Sequence, residues 1–544
     1  MALSSRNVFL IFLLFSIAVS KSPVRHVIVL MMENRSFDHF LGHLAKGDPR
    51  IDGLNGSQYN PINPADPSSQ KMPVNYNAVD GGPDDPCHEF DCITQQIFGF
   101  NKRMNDTTSP VHMSGFVANA LAVHGSAPFV MSAFTDTNLP VLSTLAKEYA
   151  VFDHWYCSCP CPTNPNREFL MSGTSHGMTV NTIPDEGFPQ ETHFAFLERH
   201  NISWKIYYHD DPWMAPTFAD LRVKERLALV QEMPAFYEDI KGGTLPQYVL
   251  IQPRMATSKT GPSNWQHPDN SVEQGEILMT EVYEALRNSS YWEESLLIIT
   301  YDEHGGFFDH QNTPIHGVPA PDDIKSVNGF DFSRLGVRIP TVMVSPWIAR
   351  GTVVSRPSGA RAPTSTSQYD ATSIISSANK IFGIYNEHMS HRDAWAGTFH
   401  DLVSGEGESA LRRDCPYTLP SVQPLSHPRL EMEMNMPFND HHYDSINLLC
   451  HLSGHPHPVC SNFAHTSPTI ISLSGPSLDR VREKEQKDYA HKVSGGKPLK
   501  NGVWQGAQVF PHLYPPAAAF LRQKDFEELS KFLFRIYRSK IMLA

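Results

Sequence analysis

Two continuous apolar runs in this chain stop abruptly on acidic residues. Val27–Met32 reads VIVLMM and Leu296–Tyr301 reads LLIITY. Neither run alternates, so each predicts a strand buried on both faces. The first ends in Glu33-Asn34-Arg35-Ser36. Phe37, Phe40 and Leu41 then recur at helical spacing behind Ser36 as an N-cap. The second ends in Asp302-Glu303-His304-Gly305-Gly306. Further strands are expected at Ile202–Tyr208, Tyr248–Ile251 and Val337–Val344, the last of which carries Pro340. Val141, Leu142, Leu145 and Ala146 predict a helix started by Pro140, and Leu278, Val282 and Leu286 predict another within Val272–Arg287. Strands alternating with helices predict an α/β fold with a mostly parallel sheet and helices on both faces. In such sheets ligands bind beyond the carboxyl ends of the strands, where these acids stand.

Other stretches lack periodicity. Residues 45–115 are rich in Pro, Asp, Asn and Gly and predict a long ordered insertion. Residues 404–475 hold many Ser, His and Pro, and residues 476–510 are polar and charged. Phe526, Leu529, Phe532, Leu533 and Ile536 then mark one face of a terminal helix. A boundary is placed near 405, giving a catalytic domain at 21–404 and a C-terminal extension or small domain at 405–544.

The amino terminus looks like an address. Arg6 precedes the apolar run Val8–Val19, followed by Ala18-Val19-Ser20 and Lys21. The run falls short of the ~20 apolar residues that a membrane span needs, so residues 1–20 are expected to be a secretory signal peptide. No later run matches it, which predicts a mature chain without a transmembrane segment. Eight cysteines suit an oxidising destination. Cys87/Cys92 and Cys450/Cys460 are close enough for local bridges. Cys157-x-Cys159-x-Cys161 has no second cluster at zinc spacing, so disulfides are expected there too, with the pairing open. Asn55, Asn105, Asn201 and Asn288 stand in glycosylation sequons; Asn34 does as well, but in a segment assigned to chemistry.

Composition narrows the function classes. The net charge is −13, from 44 Lys+Arg against 57 Asp+Glu, which argues against a nucleic-acid partner. Protonating all 27 histidines would reverse the sign of that charge, so the surface field would change in an acidic compartment.

The two acidic strand ends are a hard-oxygen environment suited to a divalent cation, although Asn, Asp and Glu also cap helices and form turns. Pro162-Thr163-Asn164-Pro165-Asn166-Arg167 places a hydroxyl in a stiff loop. Held near a cation, such a hydroxyl can attack phosphorus and form a covalent intermediate. Pattern alone does not choose Thr163 over Thr174 or Ser175. Arg167 is suited to bidentate pairing with phosphate oxygens. His39, His176, His267, His304 and His310 flank these segments, and any one of them could protonate a leaving alkoxide.

Four ordered motifs carry a resemblance. They are Glu33-Asn34-Arg35-Ser36-Phe37-Asp38, Thr163-x-Pro165-Asn166-Arg167, Asp302-Glu303-His304-Gly305-Gly306-Phe307-x-Asp309-His310, and Gly336-x-Arg338-x-Pro340 followed by Ser345-Pro346. Together they resemble the phosphoesterase family of non-specific phospholipases C, which includes bacterial phosphocholine-preferring enzymes and a group of acid phosphatases. Tyr301–Phe307 and Arg392–Phe399 look especially like the plant-type members. The resemblance covers roughly residues 24–400.

It implies an alkaline-phosphatase-like α/β fold and a phospholipase C that cleaves glycerophospholipids such as phosphatidylcholine to diacylglycerol and a phosphorylated head group. Thr163 matches the nucleophile position. Glu33, Asn34, Asp302 and Glu303 match positions that coordinate a metal around it in the acid-phosphatase relatives. The catalytic set it implies is Thr163, Asn166, Arg167, His267 and His304, with Arg167 and His310 binding substrate and one divalent ion held by Glu33, Asn34, Thr163, Asp302 and Glu303. The implied partner is phospholipid at a membrane surface. Two positions depart from the plant-type pattern: Asn270 and Ala371 stand where relatives carry His. Those losses keep two alternatives open, a phosphomonoesterase with the same nucleophile and a weakened head-group-binding protein.

Overall fold

The computed structural model describes residues 22–82, 85–99, 110–123, 127–407, 409–423, 427–435, 440–454 and 522–543. The strands in chain order are β1 (His26–Met32), β2 (Tyr59–Pro61), β3 (Lys71–Pro73), β4 (Ala150–Phe152), β5 (Trp204–Tyr208), β6 (Val230–Glu232), β7 (Tyr248–Gln252), β8 (Ser295–Tyr301), β9 (Thr341–Val344) and β10 (Thr352–Val354). Eight of them form one sheet in the order β10-β4-β9-β8-β1-β7-β5-β6. Every neighbouring pair is parallel except those of β9, which runs antiparallel to β8 and β4. The fold is α/β with a mostly parallel sheet, as the alternation predicts. β2 and β3 pair separately as a hairpin in the insertion.

The two apolar runs lie side by side at the centre. All residues of β1 and β8 are buried. Their register pairs Leu30 with Ile299 and Met32 with Tyr301, so both strands end at the same level. This alignment brings the two acidic strand ends together. The helix Pro140–Glu148 has its first amides capped from outside, Val141 N and Leu142 N donating to the Glu276 carboxylate at 2.6 and 3.1 Å.

The structure corrects several local expectations. β9 begins only at Thr341, because Pro340 has no N–H for the ladder. Ser36 does cap a helix, accepting from His39 N at 3.1 Å, but the helix is a single turn, Phe37–Phe40, before a 3-10 segment. Thr163 is not in a loop: it is the first residue of the helix Thr163–Ser172, with Pro162 as N-cap. β4, β6 and β10 have three residues each, too short to show a period. The insertion builds its own apolar cluster, in which Leu54, Ile93, Ile97 and Val117 pack against Val130, Phe308 and Val337.

Cys87 and Cys92 form a disulfide. Cys450 is also disulfide-bonded, while Cys460 lies outside the described residues. Cys157, Cys159 and Cys161, expected in disulfides, are buried free thiols. The Cys159 thiol faces Asn166, and the Cys157 sulfur packs where Gly336 leaves room.

Three described segments of the extension are helices packed on the domain, His427–Met434, Asp440–Ser453 and Gln523–Leu543, while residues 409–423 run without helix or strand. Phe526, Leu529, Leu533, Phe534 and Tyr537 are buried on the last, whereas Phe532 points outward. Residues 1–21, with the expected signal peptide, and the 476–510 segment lie outside the described residues. Among the described residues no helix is long and apolar enough to cross a membrane.

Candidate active site

The aligned strand ends lock together through the backbone. Asn34 N donates to Asp302 Oδ1 at 3.0 Å and Arg35 N to the Glu303 carbonyl at 3.0 Å. Asn34 holds φ 55°, in the left-handed region where Asn is one of the few tolerated side chains. The helix Thr163–Ser172 then presents its first residue to this junction. Thr163 Oγ1 donates to Glu33 Oε1 at 2.9 Å and stands 3.5 Å from Asn34 Oδ1.

One turn on, Arg167 pairs with the Glu33 carboxylate, lies 3.5 Å from Asp302 Oδ2, and donates to the Met32 carbonyl at 3.1 Å. The other candidate hydroxyls are engaged elsewhere. Thr174 Oγ1 is bonded to Asp322 and Ser175 Oγ to the Met178 carbonyl.

Asn166 works from behind Thr163. Its Oδ1 accepts from Cys159 N at 3.1 Å, and its Nδ2 donates to the Cys161 and Pro162 carbonyls at 2.8 and 3.1 Å. These bonds fix the approach to Thr163. His304 is fully buried, with Nε2 on Gln96 Oε1 at 2.8 Å and Nδ1 3.4 Å from Glu303 Oε2. Burial, helped by the positive charge of His88, lowers its pKa to about 3, so it backs Glu303 as a neutral ring.

His267 stacks on Trp265 and bonds Asp269 through Nδ1. Burial opposes its charge, but Asp269, Asp85 and Glu33 prevail and raise its pKa to about 9. The structure does not bring His310 to this junction. Its ring nitrogens are taken by Asp38 Oδ2 at 2.6 Å and Asp52 Oδ1 at 3.0 Å.

Three site residues were not found from sequence. His88, in the insertion, enters the site through its charge: Glu303, Asp85 and Glu89 outweigh its burial and raise its pKa to about 10. Trp265 accepts Glu33 N through its carbonyl at 3.0 Å. His441, from the C-terminal extension, stands with Nε2 3.5 Å from Glu33 Oε1. The His441-His442 doublet in an otherwise unpatterned segment was the available signal.

The oxygen donors fit a divalent ion. Glu33, Asp302 and Glu303 are buried carboxylates beside the Asn34 carbonyl and the Thr163 hydroxyl, and Asp302 Oδ2 and Glu303 Oε1 have no hydrogen-bond partner. Burial and mutual repulsion with Asp302 push Glu33 and Glu303 each up to about 8, although Arg167 and His88 respectively draw them down. Further positive charge would relieve this. A different constellation, Asp38, Asp309 and His310, has ligand atoms within 4.8 Å of one another and is consistent with a divalent ion. There, however, Arg338 already pairs with Asp38 at 3.0 Å and Asp309 at 2.9 Å.

This is a hydrolase-type site on an α/β sheet, with the Thr163 hydroxyl at the junction of two acidic strand ends. Residues 24–385 match the model of the Phosphoesterase family, and the chain belongs to that family. Non-specific phospholipase C1 of Arabidopsis thaliana is 42% identical over 408 residues, spanning 74% of this chain and 75% of that one. Non-specific phospholipase C6 of the same plant is 42% identical over 412 residues, 74% of this chain and 76% of its own. Phospholipase C B of Mycobacterium tuberculosis is 27% identical over 465 residues, 76% and 82% of the two chains. A solved protein of the alkaline phosphatase superfamily from Vibrio parahaemolyticus has a TM-score of 0.31 at 12% identity, over 48% of this chain and 63% of its own. The chain is a phosphoric diester hydrolase.

Proposed function

We propose that the chain is a secreted phospholipase C that releases diacylglycerol from glycerophospholipids such as phosphatidylcholine at a membrane surface. The observation that carries this reading is the Thr163 hydroxyl, fixed on Glu33 Oε1 at the head of a helix among buried carboxylates. Its hydrogen bond orients the oxygen and gives its proton a place to go. The Oγ1–phosphorus bond forms as the phosphorus–glycerol oxygen bond breaks. His267, carried protonated at neutral pH, stands in the same acidic neighbourhood and protonates the departing alkoxide. Diacylglycerol leaves first, and water then cleaves the phospho-threonine to free the phosphorylated head group. A divalent ion held by Glu33, Asn34, Thr163, Asp302 and Glu303 would supply Lewis-acid polarisation of phosphoryl oxygens. Arg167 keeps Glu33 and Asp302 in place and lies within one helical turn of the nucleophile.

Entry into the secretory pathway is supported by the amino-terminal pattern and the Cys87–Cys92 bridge. Asn55, Asn201 and Asn288 are exposed, as glycan acceptors must be, while Asn34 is buried in the site and Asn105 lies outside the described residues.

Purified protein and Thr163→Ala are incubated with phosphatidylcholine, and diacylglycerol is measured. The wild type is expected to release it and the variant to fall by more than about 10³-fold while keeping its melting temperature. Turnover by Thr163→Ala near the wild-type rate would remove the nucleophile.

A further inference from the structure

The C-terminal extension places one imidazole inside the phosphoester site. We propose that His441, on the helix Asp440–Ser453, contacts the phosphoryl group of the substrate; this rests on Thr163 being the attacking group. Three observations carry it.

First, His441 Nε2 lies 3.5 Å from Glu33 Oε1, the same oxygen that accepts the Thr163 hydroxyl at 2.9 Å. A phosphoryl group joined to Thr163 therefore forms beside that ring. Second, His441 is only 7% exposed, and its Nε2 has no hydrogen-bond partner, a costly state for a buried polar atom. A substrate oxygen is the partner that this place in the site supplies.

Third, the ring is held rather than loosely filling space. Trp213 meets it edge-on at 4.6 Å, and Trp265, which also stacks His267, lies nearly parallel to it at 5.5 Å. The helix behind it is pinned to the domain by Ser445 on Asp211 and by His442 Nε2 on the Met255 carbonyl at 3.3 Å.

The departure at position 270 fits this arrangement. Asn270 cannot replace a histidine here, because its Oδ1 accepts Trp265 Nε1 at 2.8 Å and its Nδ2 donates to Gln523 of the last helix at 3.3 Å. That position has become a clamp on Trp265 and on the extension. The imidazole comes instead from the segment that the clamp holds. An imidazole N–H can meet a phosphoryl oxygen and, unlike the Arg167 guanidinium, the ring is not tied to two carboxylates.

The test uses the full chain with His441→Ala, His441→Gln and His442→Gln. Hydrolysis of phosphatidylcholine and of bis(p-nitrophenyl) phosphate is measured beside inhibition by orthovanadate, a phosphoryl mimic. His441→Ala is expected to lose about 10²-fold in kcat/KM on both substrates and at least about tenfold in vanadate affinity. His441→Gln, which keeps an amide near the Nε2 position, should recover much of both. His442→Gln should lower the melting temperature yet leave the rate of folded enzyme within about threefold.

Equal rate losses in His441→Ala and His442→Gln would reduce His441 to holding the helix and overturn the proposal. So would unchanged vanadate affinity in His441→Ala. A wild type that cleaves the aryl diester but not phosphatidylcholine would defeat the lipid reading while leaving His441 testable on the aryl diester. A wild type that neither binds vanadate nor turns over either diester overturns both.

Discussion

Gly305 and Asn34 show how little freedom the site has at the level of single residues. Gly305 sits at φ 63°, and a Cβ there would lie 2.1 Å from the Asn34 carbonyl oxygen. Its N–H also donates to Glu303 Oε2 at 2.8 Å. A side chain at 305 would therefore both strain its own backbone and push the other strand end away. Gly305→Ala is expected to cost at least about 1–2 kcal/mol, the usual penalty for forcing an L-residue into the left-handed region. Turnover should fall by about 10²-fold, because displacements near 1 Å at a reacting centre cost that much. Urea denaturation and initial rates on the same preparation check both; a variant with wild-type kcat would mean that Asn34 and Glu303 need not be held so closely.

At the level of elements, the site arises from register. Two strands of seven residues each, both buried throughout, pair so that their last residues coincide. Their length and apolar content were legible in the sequence, as were the acidic residues at the end of each. Their adjacency was not, because no pattern along the chain states which strands pair. The three-residue strands and the helical start at Thr163 escaped for a related reason: short segments are decided by tertiary partners rather than by periodicity.

A second junction ties the insertion to the sheet. His310 bridges Asp38 and Asp52, while Arg338 donates to the Asp52 and Asp153 carbonyls at 2.7 and 2.6 Å. Burial works against the charge on His310, but its hydrogen bonds to Asp38 and Asp52 prevail and raise its pKa from 6.5 to about 10. A raised histidine pKa stabilises the folded state in full below the unfolded pKa, and the contribution is lost as pH rises through the folded one. The gap in melting temperature between wild type and His310→Gln should therefore be widest below about pH 6.5 and should close as pH passes about 10. A gap that is constant across that range would show that the bridge contributes packing and not charge.

Taken whole, the molecule is a hydrolase of α/β fold whose candidate site gathers segments distant in sequence. The terminal helix of the extension was legible from its apolar face, but the helices His427–Met434 and Asp440–Ser453 were not, because the contacts that hold the extension are partly polar. Glu433 accepts Thr257 at 2.8 Å, Glu527 pairs with Arg254 at 2.6 Å, and Ser445 bonds Asp211. Polar contacts of this kind add nothing to an apolar stripe and leave the segments that rely on them unread.

The same view sets the last prediction, since three buried carboxylates, Glu33, Asp302 and Glu303, meet at the site. An ion bound only by the folded state adds RT ln(1 + [ion]/Kd), about 2.7 kcal/mol at a hundredfold excess over Kd. Stripping the protein with a chelator should lower its melting temperature and abolish diacylglycerol release, and adding back one divalent ion should restore both. Asp302→Asn should lose the ion-dependent rise in melting temperature, whereas Asp309→Asn, though less stable at the outset, should keep it. The reverse pattern would put the ion at the Asp38–Asp309–His310 constellation. No rise in either variant or in the wild type would leave Arg167, His88 and His267 as the cations that balance the site.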